Sequence, residues 1–233
     1  MIKEAIILAG GFGTRLKKLV DEMPKSMAPI KKKPFLTYIL EHLFKYDIEK
    51  VVLAVGYKHE AIISRFGKSY KGIELAYSIE NKPLGTGGAI LKAALAISSE
   101  YCYVLNGDTF FNVDLSAFTK SFNRSKPVLS VALKPMVSFD RYGSVTTEND
   151  RIKSFNEKKY CEAGLINGGV YILDKEWLIK NTPGEVFSFE KDILEKYASK
   201  DFIAYFLSDT YFIDIGIPED YLSASRDLPD LTV

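Results

Sequence analysis

The chain has only two cysteines, Cys102 and Cys161, and they form no CxxC pair. That spacing excludes a zinc ribbon and a disulfide-stapled secreted scaffold, and leaves both as ordinary buried or half-buried thiols. Histidine is equally scarce. His42 and His59 join no serine, cysteine or metal constellation, so each is expected to be structural or exposed. Neither sign of charge dominates: 31 Lys+Arg against 30 Asp+Glu leave a formal charge of +1, which argues against a nucleic-acid partner. Long apolar runs are missing too. The first, after Met1-Ile2-Lys3-Glu4, lasts about five residues, too short for a signal peptide or a membrane span. No membrane partner and a cytoplasmic location are therefore the default expectations. With no repeat and no Pro/Gly/Ser-rich linker, residues 1–233 read as a single domain, and 47% hydrophobic content is enough to bury a substantial core. A homo-oligomer, if one forms, is expected to use this domain's own surface.

What is present alternates regularly. Strand patterns at 4–9, "KVVLAV" (50–55), "IELAYSI" (73–79) and "YCYVLN" (101–106) are separated by helical spacing of Phe35, Ile39, Leu40 and Leu43, of Ala61, Ile62 and Phe66, and of Ile90, Leu91, Ala94 and Leu95. Repeated strand and helix predict βαβ crossovers, hence an α/β, Rossmann-like, mostly parallel sheet flanked by helices. Residues from about 1 to 115 are expected to form a nucleotide-binding half. From about 116 the pattern loosens into strands at 128–133, 143–147, 151–158, 168–174, 202–207 and 211–216. A helix over about 189–198 and another from Pro218 accompany them. This half is expected to complete the same sheet, making it mixed, and to build an acceptor pocket over it.

In such a sheet, ligands bind beyond the carboxyl ends of the strands, where two segments carry chemistry. The first, "AIILAGGFGTRL" (5–16), strips its side chains to Gly10, Gly11 and Gly13 before Thr14 and Arg15. It is neither a Walker A loop nor a G-x-G-x-x-G fingerprint. A bare loop after a strand still lets backbone N–H groups close on phosphates and a base lie against the chain, with Arg15 adding a positive fork. A plain strand-to-helix turn with an exposed arginine is the alternative, and Phe12 has no assigned role. The second is "NGD" (106–108), where Asp108 is a hard oxygen donor after a buried strand.

Together with "MPKSMAPIKKKPFL" (23–36), the glycine loop makes the compound pattern G-G-x-G-T-R-L followed by P-K-x-M-x-P-I-x-x-K-P. On that pattern the chain resembles the sugar-phosphate nucleotidyltransferase family along most of its length. Within it, "KPFLTYILEHL", "SRFGKSYKGIELAYSIENKPLGTGGAI" and "INGGVYILDK" are most similar to the D-glycero-D-manno-heptose 1-phosphate guanylyltransferases. Two departures stand out: Lys17-Lys18-Leu19-Val20 where many members carry P-x-T, and Ser26 where proline is usual.

The resemblance implies a nucleotide-diphospho-sugar transferase fold. It also implies transfer of a nucleoside monophosphate from an NTP, here GTP, to a sugar 1-phosphate, with Mg²⁺ as cofactor. Arg15 and Lys25 become the catalytic cations, and Asp108 and Asp214 the metal carboxylates. A charged Asp214 within the hydrophobic "YFIDIG" strand also asks for a partner or a metal on its own account. Leu8, Ala9, Gly10, Gly11, Gly13, Thr14, Gly85 and Thr86 would line the nucleotide site. Glu80 could accept the paired N–H donors of guanine. Gly143, Glu157, Lys158 and Asn167 would hold the sugar phosphate. Against these stand plainer alternatives: a surface salt bridge for Arg15, a solvated lysine for Lys25, a turn cap for Asp108, a solvated strand end for Glu80. Asp114 reads as a helix N-cap, not a ligand. A family member using another NTP or a hexose 1-phosphate, and a non-catalytic nucleotide or sugar-phosphate sensor, are the competing functions.

Overall fold

The computed structural model describes residues 1–11 and 23–231, with side chains through 228. Gly13, Thr14 and Arg15 lie outside the described residues. The first half runs β1 (Glu4–Leu8), a 3-10 turn (Lys25–Met27), β2 (Pro29–Ile30), β3 (Lys33–Pro34), α1 (Phe35–Phe44), β4 (Lys50–Val55) and α2 (His59–Phe66). It continues through β5 (Ser69–Tyr70), β6 (Ile73–Ile79), α3 (Gly85–Ala94), β7 (Tyr101–Asn106), β8 (Thr109–Phe111) and α4 (Leu115–Ser125). The second half runs β9 (Leu129–Phe139), β10 (Gly143–Glu148), β11 (Arg151–Lys158), β12 (Cys161–Asp174) and α5 (Lys175–Asn181). After these come a π-helical segment (Phe189–Glu195), α6 (Lys196–Ala198), β13 (Ile203–Leu207), β14 (Phe212–Asp214) and α7 (Pro218–Leu231).

Ten strands form one sheet in the order β10-β11-β13-β9-β12-β7-β1-β4-β6-β5. β7, β1, β4 and β6 are parallel, as the alternation predicts; β12 joins β7 antiparallel, and β9 pairs with β13 in parallel. The sheet is therefore mixed, with helices on both faces. Period-two alternation divides the core between them. Ala5, Ile7, Val51, Leu53 and Val55 point into one layer with α1, α2, α4 and α7, while Ile6, Val52 and Ala54 point into the other with α3, α5 and the π segment. Asp114 caps α4 by accepting from Ala117 N, as expected. Asp174 does the same for α5, a helix that the sequence pattern did not announce. No helix among the described residues is long and apolar enough to cross a membrane.

Two expectations need correction. β9 and β12 run past the expected 128–133 and 168–174, because Lys134–Phe139 and Cys161–Ile166 pair with each other. Lys134, Pro135 and Ser138 interrupt the apolar pattern that would otherwise reveal the extension of β9. Secondly, the segment carrying Asp214 does not complete the main sheet. β14 is three residues long and pairs with β8 as a separate ribbon, with Asp214 opposite Thr109. Ile215 N donating to Asp108 O at 3.0 Å closes it against the strand-end turn.

His42 sits on α1 at 3% exposure, edge-on to Tyr46 and Phe110, and its Nε2 finds no hydrogen-bond partner among the described residues. Burial, reinforced by Lys45, lowers its pKa to about 4, while the Val113 backbone and Asp114 pull the other way. The folded value lies below the unfolded one, so this contribution to stability is complete above about pH 6.5 and is lost as pH falls toward 4. Urea melts at about pH 7.5 and about pH 4.5 should show the wild type losing roughly 2 to 3 kcal/mol more than His42→Phe. Equal losses in the two proteins would contradict the assignment.

Candidate active site

β1 ends where Ala9 N donates to Ala54 O at 2.8 Å, and Gly10 and Gly11 follow with no side chains. Beside them β7 turns at Gly107, whose N–H donates to Leu8 O at 3.0 Å. A Cβ on Gly107 would lie 2.4 Å from that same oxygen, so only glycine lets the turn come this close. The close approach sets Asp108 beside the end of β1.

From the other side Lys25 enters on its 3-10 turn. Ser26, standing where proline is usual in the resembled family, is buried and donates to Ala9 O at 3.4 Å, tying the turn to the end of β1. Phe35 N to Ala28 O at 2.9 Å fixes the turn's far end, while Pro34 caps α1 without joining it. Lys25 Nζ then reaches Asp108 Oδ2 at 2.6 Å and Asp214 Oδ1 at 3.3 Å. Asp214 Oδ1 also accepts from Gly216 N at 2.8 Å. Burial pushes the Asp214 carboxyl above its usual range and the neighbouring Asp108 charge adds to that, with Lys25 and the Gly216 N–H opposing. Two carboxylates thus converge on one cation.

That cluster bridges two cavities. The first, about 710 Å³, is lined by Leu8, Gly10, Gly11, Lys25, Glu80, Gly85, Thr86 and Asp108. Of the expected nucleotide residues in the described chain, only Ala9 is absent from its wall. Glu80 accepts from Leu84 N at 3.1 Å and lies beside Gly10. His59, expected to be structural or exposed, lines the same cavity with Nδ1 3.1 Å from Gly56 O. The signal that could have flagged it is its place after the end of β4, one of the strand ends where ligands collect.

The second cavity, about 630 Å³, is lined by Gly143, Glu157, Lys158, Asn167 and Asp214, so all four expected acceptor residues come together. The Asn167 amide is partly committed: it donates to the Tyr171 hydroxyl at 2.9 Å and accepts from Gly169 N at 2.9 Å, at a bulge in β12. Tyr142, which the sequence reading passed over, joins the wall and packs edge-on against Phe212. Burial, with Asp214 close by, raises its pKa. Arg141, one residue earlier, pairs with Asp220 of α7 and ties that wall to the last helix.

Among the described residues no group of three or more His, Cys, Asp or Glu converges as a metal cage. Two carboxylates already gathered round one cation are nonetheless the donor set Mg²⁺ takes when phosphates and water complete its shell. The residues fit that ion.

An open α/β sheet whose strand ends carry Gly10 and Gly11 near a lysine and two carboxylates, between two cavities, suits phosphoryl transfer. The profile of the Nucleotidyl transferase family matches residues 4–230, and the chain belongs to that family. More particularly, it is 51% identical to the D-glycero-alpha-D-manno-heptose 1-phosphate guanylyltransferase of Aneurinibacillus thermoaerophilus, over 97% of this chain and 98% of that one. To the enzyme of the same name from Campylobacter jejuni it is 50% identical, over 94% and 96%. The crystal structure of HddC from Yersinia pseudotuberculosis superposes with a TM-score of 0.87 at 37% identity, covering 97% of this chain and 99% of that one; the same protein complexed with GMP-PN gives 0.85 at 36%.

Proposed function

We propose that this protein transfers GMP from GTP to a sugar 1-phosphate, D-glycero-α-D-manno-heptose 1-phosphate, releasing pyrophosphate. The observation that carries the reading is Lys25 held between Asp108 and Asp214 at the junction of the two cavities. Support for base and sugar comes from the names of the two relatives at about half identity.

An oxygen of the sugar phosphate attacks the α-phosphorus. A new P–O bond forms there, the α–β P–O bond breaks, and its electrons leave with pyrophosphate. The attacking phosphate is largely dianionic near neutral pH because its second pKa is about 6, so no general base is required. The barrier is anion meeting anion, which positioning and positive charge lower. Lys25 supplies that charge where the cavities meet. Asp108 and Asp214 would hold Mg²⁺, which when bound neutralises phosphate charge. Arg15, by its place in the motif, would grip the triphosphate and leaving group. Gly10 and Gly11 would let the nucleotide lie against the end of β1, and Glu80 would accept from the guanine edge. Glu157 and Asn167 suit sugar hydroxyls and Lys158 the sugar phosphate. The reaction is placed in the cytoplasm, where nucleoside triphosphates are supplied.

The deciding assay offers GTP, dTTP, UTP and CTP with Mg²⁺ and either heptose or mannose 1-phosphate, and measures pyrophosphate. GTP with the heptose should be fastest by at least about tenfold, the low end of what a difference in pocket contacts gives. Turnover with dTTP but not GTP would sink the base assignment, and faster turnover with mannose 1-phosphate the sugar. GTP binding without pyrophosphate release would instead identify a sensor.

A further inference from the structure

The run "GTGG" at 85–88 suggests a base pocket by its bareness, yet its glycines are also used against the protein itself. A Cβ on Gly85 would sit 2.5 Å from Phe187 O, one on Gly87 2.2 Å from the Phe187 ring, and one on Gly88 2.3 Å from Glu185 O. Gly87 N donates to Phe187 O and Phe187 N to Leu84 O, both at 3.0 Å. Three missing side chains thus allow residues 185–187 to be laid directly on the start of α3. The next residues are then placed with little freedom.

What that docking delivers is Glu190. Its Oε2 accepts from Thr86 Oγ1 at 2.6 Å and from Ser188 Oγ at 2.9 Å, and Thr86 Oγ1 in turn accepts from Phe189 N at 2.9 Å. Oε1 has no hydrogen-bond partner among the described residues. Glu190 lines both cavities, a position it shares only with Asn106 among the described residues. Its own segment indicates which cavity it serves: Lys191 and Glu195 line the acceptor side alone. Glu190 and Glu195 stand five residues apart in the π-helical segment, and both line that cavity. A carboxylate would repel nucleotide phosphates, whereas the neutral hydroxyls of a sugar are donors that suit it.

We propose that Glu190 binds a hydroxyl of the acceptor sugar through Oε1, with Thr86 as the residue that positions it. This rests on the sugar 1-phosphate reading above and deepens it. Thr86 would thereby connect the nucleotide helix to acceptor recognition.

The test uses the whole protein and compares wild type with Glu190→Gln, Thr86→Val and Thr86→Ser. Glu190→Gln should raise KM for the sugar 1-phosphate by about tenfold, the scale of a lost charge-assisted hydrogen bond, while KM for GTP stays within about twofold. Thr86→Val should move the acceptor KM in the same direction, and Thr86→Ser, which keeps the hydroxyl, should restore it. Calorimetry with the sugar 1-phosphate alone, without GTP, should show the same weakening of Kd in Glu190→Gln. An unchanged acceptor Kd and KM in Glu190→Gln, or an effect confined to GTP, overturns the assignment and leaves the proposed activity standing. No pyrophosphate release by the wild type from GTP and a sugar 1-phosphate overturns both.

Discussion

Lys25→Met should lower kcat for pyrophosphate release by at least about 100-fold while leaving GTP affinity within a few-fold. Methionine is unbranched and one atom shorter and removes the charge, so the loss reads chiefly the charge. Only 13% of the Lys25 side chain is exposed, and its Nζ is held at 2.6 Å and 3.3 Å from two carboxylates, so it requires little reorganisation when charge develops. Removing one such preorganised donor elsewhere costs about 10²- to 10³-fold in kcat. Lys25→Arg is expected to recover only part of the loss, because a planar fork does not replace a compact point charge. Steady-state pyrophosphate release and a separate GTP titration check both halves. A kcat within tenfold of wild type would remove Lys25 from the mechanism. The variant also leaves Asp108 and Asp214 facing each other without their cation, so its melting temperature should fall and rise again on adding Mg²⁺ more than the wild type's does.

The second large effect belongs to the carboxylates. Asp108→Asn and Asp214→Asn should each reduce kcat by at least about 100-fold, since each amide keeps the shape and loses the charge that a hard cation needs. GTP should still bind. If both hold one ion, the double variant will be little worse than either single one, as groups that act as a unit are not additive. Mn²⁺ titration in the presence of GTP, followed by electron paramagnetic resonance, gives a readout independent of turnover: tight Mn²⁺ binding should weaken in both variants. Multiplicative losses in the double variant, or wild-type Mn²⁺ affinity in Asp108→Asn, would mean that the two aspartates do not share a metal.

Part of the candidate site is legible in the sequence. Gly10, Gly11, Glu80, Gly85 and Thr86, which the sequence reading assigns to a nucleotide, line one cavity; Gly143, Glu157, Lys158 and Asn167, which it assigns to the acceptor, line another. All of these but Asn167 lie at or near ends of strands or helices, positions that a local hydrophobic pattern marks; Asn167 lies inside β12, at its bulge. Glu190 and Tyr142 were not legible. Glu190 sits in an ordinary charged helical sequence, and its importance comes from Thr86, 104 residues away. Asp214 was anticipated as a ligand but its strand was placed in the wrong sheet, because three residues of apolar pattern cannot say which partner they will pair with.

The sequence by itself determined the alternation that builds a parallel half-sheet, the bare loop at its edge, and the residue types that phosphate chemistry needs. Each is a local property: side-chain periodicity, missing Cβ atoms and fixed charge are set within a few residues. Tertiary structure alone decided that Lys25 meets Asp214 across 189 residues of chain, that "GTGG" seats a returning segment, and that two cavities share one wall. Those outcomes depend on which strands become neighbours and how closely their ends approach. That choice is made by packing the whole sheet, and no short stretch carries it.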